Sequence, residues 1–332
     1  MKKVFAVTAA IALLCLGGIA QADITIETVP VGNPGNAADT RVMNDSTTGY
    51  GTVGYAYNIG KYEVTAGQYT AFLNAKATTD TYLLYNASMW SSSYYGCKIQ
   101  RSGSAGSYTY SVAPDWANRP VNYVSFWDSL RFANWLHNGQ GSGSTETGAY
   151  TLTTSGITNN TITRNTGATW AVTSENEWYK AAYYKGGGGG YWLYPTSSDT
   201  APGRDMADAS GNNANYYTGS GAWPIDSGKC TTVVGEFQNS DSPYGTFDQG
   251  GNVFEWNEAI ISGAYRGARG GGFSSGTYGF QASSRDYYSN PPGEGDFIGF
   301  RVSQIVPVPE PSSLIALAGG FGMLLGLRRR RA

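Results

Sequence analysis

From Val53 to Val64 aromatic and polar residues alternate, and Tyr55, Tyr57, Ile59 and Tyr62 favour strand pairing. Thr65 follows as a good N-cap for a helix over Ala66 to Ala75, where Tyr69, Phe72 and Leu73 share one face. The polar stretch before these elements, 23–52, reads as an extended lead-in with one strand at Ile24 to Val29. A second helix is predicted from Phe126 to His137, capped by Ser125, with Leu130, Ala133, Asn134 and Leu136 turned partly inward. A third lies within Trp170 to Lys185, where Thr173 or Ser174 is the cap and Glu177 and Trp178 fall in the first turns. Capping is a sufficient reason for Ser174 and Glu177, so neither is given a chemical role. Between the helices, Thr78 to Pro114 is an irregular Tyr- and Ser-rich tract with short strands, and Gly139 to Gly148 is a flexible loop. Gly203 to Pro243 is mostly turns, and Gly245 to Val302 adds short strands.

Composition narrows the class. Only 14% of the 332 residues are charged while 14% are aromatic and 46 are Gly, the balance of a secreted, loop-rich surface protein more than a cytosolic enzyme. A net charge of -2 without internal basic blocks argues against nucleic acid as a partner. The glycine run Gly186 to Gly190 lacks the Lys and the Ser or Thr of a P-loop and follows a helix where a phosphate cradle would open one. No haem or nucleotide cofactor is expected. Three cysteines are present, and Cys15 lies in the N-terminal apolar run. Cys97 and Cys230 are therefore either one disulfide, as an oxidising compartment allows, or two small core residues.

Both ends read as export information. Residues 1–22 carry a short basic start, the apolar run Val4 to Ile19 and the small-x-small site Ala20-Gln21-Ala22, which is the layout of a signal peptide for signal peptidase. At the other end Pro309-Glu310-Pro311 precedes the apolar run Leu314 to Leu327 and the block Arg328, Arg329, Arg330 and Arg331. A short apolar transmembrane segment backed by arginines stops translocation with its positive end inside. Residues 307–332 thus resemble the PEP-CTERM sorting signal, which implies transient anchoring in the inner membrane, cleavage by an exosortase and delivery to the cell surface or extracellular matrix. A permanent single-span anchor is the other reading of the same tail.

The stretch Arg269 to Val302, RGGGFSSGTYGFQASSRDYYSNPPGEGDFIGFRV, with Gly250-Gly251-Asn252-Val253-Phe254-Glu255-Trp256 before it, resembles the C-terminal core of the formylglycine-generating, or sulfatase-modifying-factor, family. The opening segment NIGKYEVTAGQYTAFLNA, the Pro120-Val121-Asn122 entry to the second helix and the Glu177-Trp178 helix are similar to earlier parts of the same family. The resemblance implies an α+β, C-type-lectin-like fold over 53–303, loop-rich with short strands and few helices.

The family's oxidases bind copper(I) through two thiolates just after the RGG turn, because soft sulfur suits copper(I). Here Phe273, Ser274 and Ser275 occupy that place, Ser275 takes the first thiol's position, and 269–285 contains no Cys. A copper site is not expected, and the catalytic set is empty. Sulfoxide-synthase relatives use several histidines, whereas this chain has only His137, which sits at a helix C-terminus suited to capping carbonyls. Calcium, which prefers hard oxygens, is the cofactor the resemblance allows. Carried over from family members with a calcium site, the ligands become Asp248, Gly251, Val253 and Glu255, although Glu255 has the alternative of hydrogen-bonding the loop beside Trp256. A second such site falls at Asn215, Tyr216 and Asp226.

Two functions follow from different classes. Phe273, Ser274, Ser275, Tyr278, Phe280, Tyr287 and Tyr288 mix aromatic area with hydroxyls, the composition of binding loops. They would bind an exopolysaccharide or a surface protein without catalysis, though core packing accounts for some of these aromatics equally well. The alternative is a divergent formylglycine-generating oxidoreductase.

Overall fold

The computed structural model describes residues 23–219, 225–285 and 290–305. The expected signal peptide, Tyr287 and Tyr288, and the tail with Pro309, Glu310, Pro311 and Arg328 to Arg331 lie outside these residues. In chain order the elements are β1 (Thr28–Val31), β2 (Tyr57–Gly60), α1 (Ala66–Lys76), α2 (Ser88–Ser91), β3 (Ile99–Ser102) and β4 (Thr109–Val112). Then come α3 (Phe126–His137), α4 (Thr154–Thr158), β5 (Trp170–Val172) and α5 (Glu175–Tyr183). β6 (Phe254–Ile261), β7 (Tyr265–Arg269), β8 (Ile298–Phe300) and β9 (Val302–Gln304) complete the described chain. Among the described residues no helix is long and apolar enough to cross a membrane.

Among the described residues two sheets frame the core, beside a two-stranded antiparallel pair β3-β4. One is antiparallel with strand order β1-β2-β9-β5. The other has order β7-β6-β8, with β6 and β8 parallel. The 23–52 segment is more than a lead-in, because its strand lies at Thr28–Val31, later than the pattern predicts, and forms the edge of the first sheet. β8 and β9 are separated only by Arg301, so a single extended stretch passes from one sheet into the other. That residue is fully buried.

All three predicted helices form, each opened by a reciprocal capping box. The Thr65 hydroxyl accepts from Gln68 N–H, Ser125 from Asp128 N–H and Ser174 from Glu177 N–H, and each N3 side chain accepts back from its cap's backbone N–H. Two orphan donors per helix start are thereby satisfied. Ser174, not Thr173, is the cap of α5, because the chain is still extended in β5 up to Val172. α1 and α3 meet through aromatic side chains. Phe72 and Phe132 pack edge-to-face at 5.4 Å, and Phe132 meets Phe300 of β8 at 5.3 Å. Such pairs add about 0.5–1.5 kcal/mol each beyond the area they bury. This core holds α1 and α3 against the sheet junction where Arg301 lies.

Candidate functional site

Around Arg301 a polar knot sits inside the core. Its Nε and Nη2 donate to the two Glu255 carboxylate oxygens at 2.5 and 2.6 Å, while Nη1 donates to Gly60 O and Nη2 to Phe247 O, both at 2.9 Å. The Trp178 indole N–H donates to Glu255 Oε2 at 2.7 Å. The end of β2, Phe247 and Glu255 of β6 are thus tied directly to one guanidinium, whose planar fork suits bidentate pairing, and α5 joins them through Glu255. Arg269 and Arg285 play related parts on Glu175 of α5, at 2.9 and 2.8 Å through their Nε atoms. Burial alone would raise the Glu175 carboxyl, yet these two guanidinia hold it below the usual carboxylate range.

The turn feeding this knot is built on Gly251 and Asn252, both at positive φ (+89° and +56°). A Cβ on Gly251 would meet the Asn215 carbonyl oxygen at 2.2 Å, so only glycine fits there. Asn252, which sequence reasoning passed over, is the hub. Its Oδ1 accepts from Asn215 Nδ2 at 3.0 Å and from Thr232 N–H at 2.9 Å, and its own N–H donates to Asn215 O at 3.0 Å.

The expected calcium ligands are reached in this frame. Asp248 and Glu255 lie at the same corner, but Glu255 is committed to Arg301 and Trp178 and would have to release them to ligate. The set carried over from the resemblance therefore does not fit a cation as the side chains stand. At the second set, Asn215 binds Cys230 O and Asn252, the Tyr216 hydroxyl donates to Pro202 O, and Asp226 pairs with Arg119. These partners pull the three residues to different tasks. Among the described residues no group of three or more acidic, His or Cys side chains is arranged to hold a metal ion.

The aromatic loop after the RGG turn divides in two. Phe273 and Phe280 were candidates for binding and prove to be core, at 1% and 0% exposure. Phe273 stacks on Tyr95 at 6.0 Å, and Phe280 packs against Tyr194 and Tyr216. A 3-10 turn over Thr277–Phe280 turns Phe280 inward and leaves Tyr278 72% exposed. Ser274 is exposed and Ser275 half-buried, with Ser275 Oγ accepting from Gly272 N–H at 3.1 Å. The Ser275 carbonyl accepts from the N–H of Tyr217, itself 41% exposed. On another flank Tyr94, 46% exposed, leans on Tyr95 at 5.1 Å. Exposed Phe297 closes the far side, its carbonyl near Gly272 and its ring against Phe254. Three separate loops thus surround the position where the resemblance puts thiols.

Cys97 and Cys230 do not form the disulfide their number allows; both are free and buried. Cys97 Sγ lies 3.9 Å from the Asn122 carbonyl, whereas Cys230 is held by its backbone to Tyr94 and Asn215, so each thiol packs in its own environment. Burial pushes both up to about 11, which keeps them protonated at neutral pH. His137 is occupied at the end of α3, where its Nδ1 accepts from Thr169 N–H at 3.1 Å and meets the Thr169 hydroxyl at 2.8 Å instead of capping carbonyls.

This sheet pair, its caps and its turn define a mixed α+β domain, and residues 28–305 match the Sulfatase-modifying factor enzyme 1-like domain. The chain belongs to that family. Among solved structures it is similar to CarF, with 21% identity, a TM-score of 0.53 and coverage of 85% of this chain and 99% of that one. PvdO from Pseudomonas aeruginosa gives 20%, 0.52 and coverage of 84% and 94%. Treponema denticola variable protein 1 gives 19%, 0.51 and coverage of 83% and 94%. At these identities the likeness bears on the fold alone. Among curated proteins nothing matches the chain.

Proposed function

We propose that this domain is an exported surface or matrix module that binds a polysaccharide on the aromatic face around Ser274 and Ser275, without oxidase chemistry. The observation that carries it is that exposed Tyr278 on the Ser275 loop is flanked by three other loops carrying exposed aromatics: Tyr217, whose N–H donates to Ser275 O, Phe297, whose carbonyl lies beside Gly272, and Tyr94, next to the Tyr95 that stacks on Phe273. Flat, stiff aromatic rings beside hydroxyls offer contact area at low entropic cost, and sugar rings present both an apolar face and hydroxyls to meet them. Ser274 and Ser275 supply no soft sulfur for copper(I), which supports binding over formylglycine formation. The N-terminal leader and the Pro309-Glu310-Pro311 tail support passage through signal peptidase and an exosortase to the outside of the cell.

Affinity electrophoresis through gels containing soluble bacterial exopolysaccharides tests the reading. The native protein is expected to be retarded by at least one of them. Tyr94→Ala combined with Tyr217→Ala should abolish retardation at unchanged melting temperature, at about 1–2 kcal/mol of binding per ring. Equal retardation of both proteins, or none with any polysaccharide, counts against it.

A further inference from the structure

Charge is spread unevenly over the four loops that surround Ser274 and Ser275. Residues 92–97, 213–219 and 270–281 contain no Lys, Arg, Asp or Glu, and 290–297 contains only Glu294 and Asp296. Buried Asn122 ties the acidic loop to the Tyr94 loop, since its Nδ2 donates at 2.6 Å to both Tyr95 O and Asp296 O. Asp296 is thereby fixed, half-buried, next to exposed Phe297. Glu294 accepts from Asn86 Nδ2, and burial holds both carboxyls above the usual carboxylate range with no cation to offset it. The cations that border the face have other tasks. Lys98 Nζ donates to Trp90 O at 3.1 Å and Ser92 O at 2.7 Å. Lys229, beside the Cys230 whose N–H donates to Tyr94 O, pairs with Asp115 at 3.3 Å. Arg285 is spent on Glu175 and Asp45, and half-buried Arg204 lies where desolvation lowers its pKa.

We infer that this face selects an uncharged polysaccharide and turns away polymers of uronic acids and of sulfated or phosphorylated sugars, an inference that rests on the polysaccharide reading above. An anionic polymer laid against the aromatic rings loses water from its acid groups and needs Arg or Lys in its place. It meets Glu294 and Asp296 instead, and like charges brought together at an interface exclude the wrong partner. A neutral sugar meets the same carboxylates through its hydroxyls. An O–H donating to a carboxylate makes a bond about twice as strong as one between neutral groups.

Affinity electrophoresis at low salt, through gels holding neutral polymers (dextran, laminarin, galactomannan) or anionic ones (alginate, hyaluronate, dextran sulfate), tests the selection. Retardation should be confined to the neutral panel. Asp296→Lys should lose about tenfold in affinity for the neutral polymer, the loss of one charge-assisted bond, and gain retardation by alginate that disappears as salt is raised. Asp199→Lys, the same change of charge at the Lys185 pair beside the glycine run, should alter neither. Should Asp296→Lys fail to fold, the native protein decides alone, because its retardation by a neutral polymer should be equal at low and high salt. Native retardation by the anionic panel as strong as by the neutral one overturns the selection and leaves polysaccharide binding standing, whereas retardation by neither panel ends both. Equal gains of alginate binding in Asp296→Lys and Asp199→Lys would reveal an effect of net charge and overturn the selection too.

Discussion

Arg301→Ala is expected to lower stability by about 3–5 kcal/mol, the cost of stripping one partner from a buried ion pair and leaving the other unpaired. Glu255 is fully buried and would lose both short bonds from the guanidinium, keeping only the Trp178 indole. The carbonyls of Gly60 and Phe247 would lose their Arg301 donors at the same time, leaving the two segments joined by the Phe247 N–H to Lys61 carbonyl bond and the Tyr62–Phe247 ring contact. Arg301→Lys should recover little, because an ammonium cannot reproduce a planar fork that reaches a carboxylate and two carbonyls at once. Urea unfolding midpoints for the native protein and both variants measure this. A loss under 1 kcal/mol for Arg301→Ala would mean that the sheet junction is held by packing and that the ion pair is incidental.

Gly251→Ala should be nearly as costly, at about 3 kcal/mol or more. The residue adopts φ +89°, and its new Cβ would meet the Asn215 backbone oxygen at 2.2 Å. Left-handed strain at a non-glycine residue costs about 1–3 kcal/mol, and the clash adds to it because a backbone atom cannot swing aside. Gly188→Ala is the internal comparison. It shares a positive φ of +83° but nothing lies within 4 Å, so it should pay for strain alone. Thermal melts of the two variants side by side separate the terms. Equal shifts would show that the close approach to Asn215 relaxes freely.

The sequence made the helices readable because their information is local. Thr65, Ser125 and Ser174 each stand three residues before a reciprocating side chain, and the apolar periodicity begins at once. β5 was hidden for the opposite reason, since three residues carry no measurable alternation. The aromatic loop was legible as composition but not as geometry. Phe280 and Tyr278 are two residues apart, and only the 3-10 turn decides that one is core and the other surface. The free thiols make the same point, as counting cysteines says nothing of where their side chains are packed. Asn252 was invisible because its importance comes from segments far away in sequence. Its Oδ1 accepts from Asn215 and from Thr232, on two other loops. The family resemblance supplied the fold; the departure at Ser275 is legible in the sequence, whereas the commitment of Glu255 to Arg301 and Trp178 is visible only in the contacts.

The claim that binding takes place on the face around Ser274 and Ser275 is tested most directly by hydrogen–deuterium exchange, read by mass spectrometry with and without saturating polysaccharide, using the one that retards the protein most. Slowed exchange is expected in the loops carrying Tyr94, Tyr217, Ser275 to Tyr278 and Phe297, with the glycine run at Gly186 to Gly190 unchanged. Protection confined to loops away from this face, or no protection at all, would contradict the account.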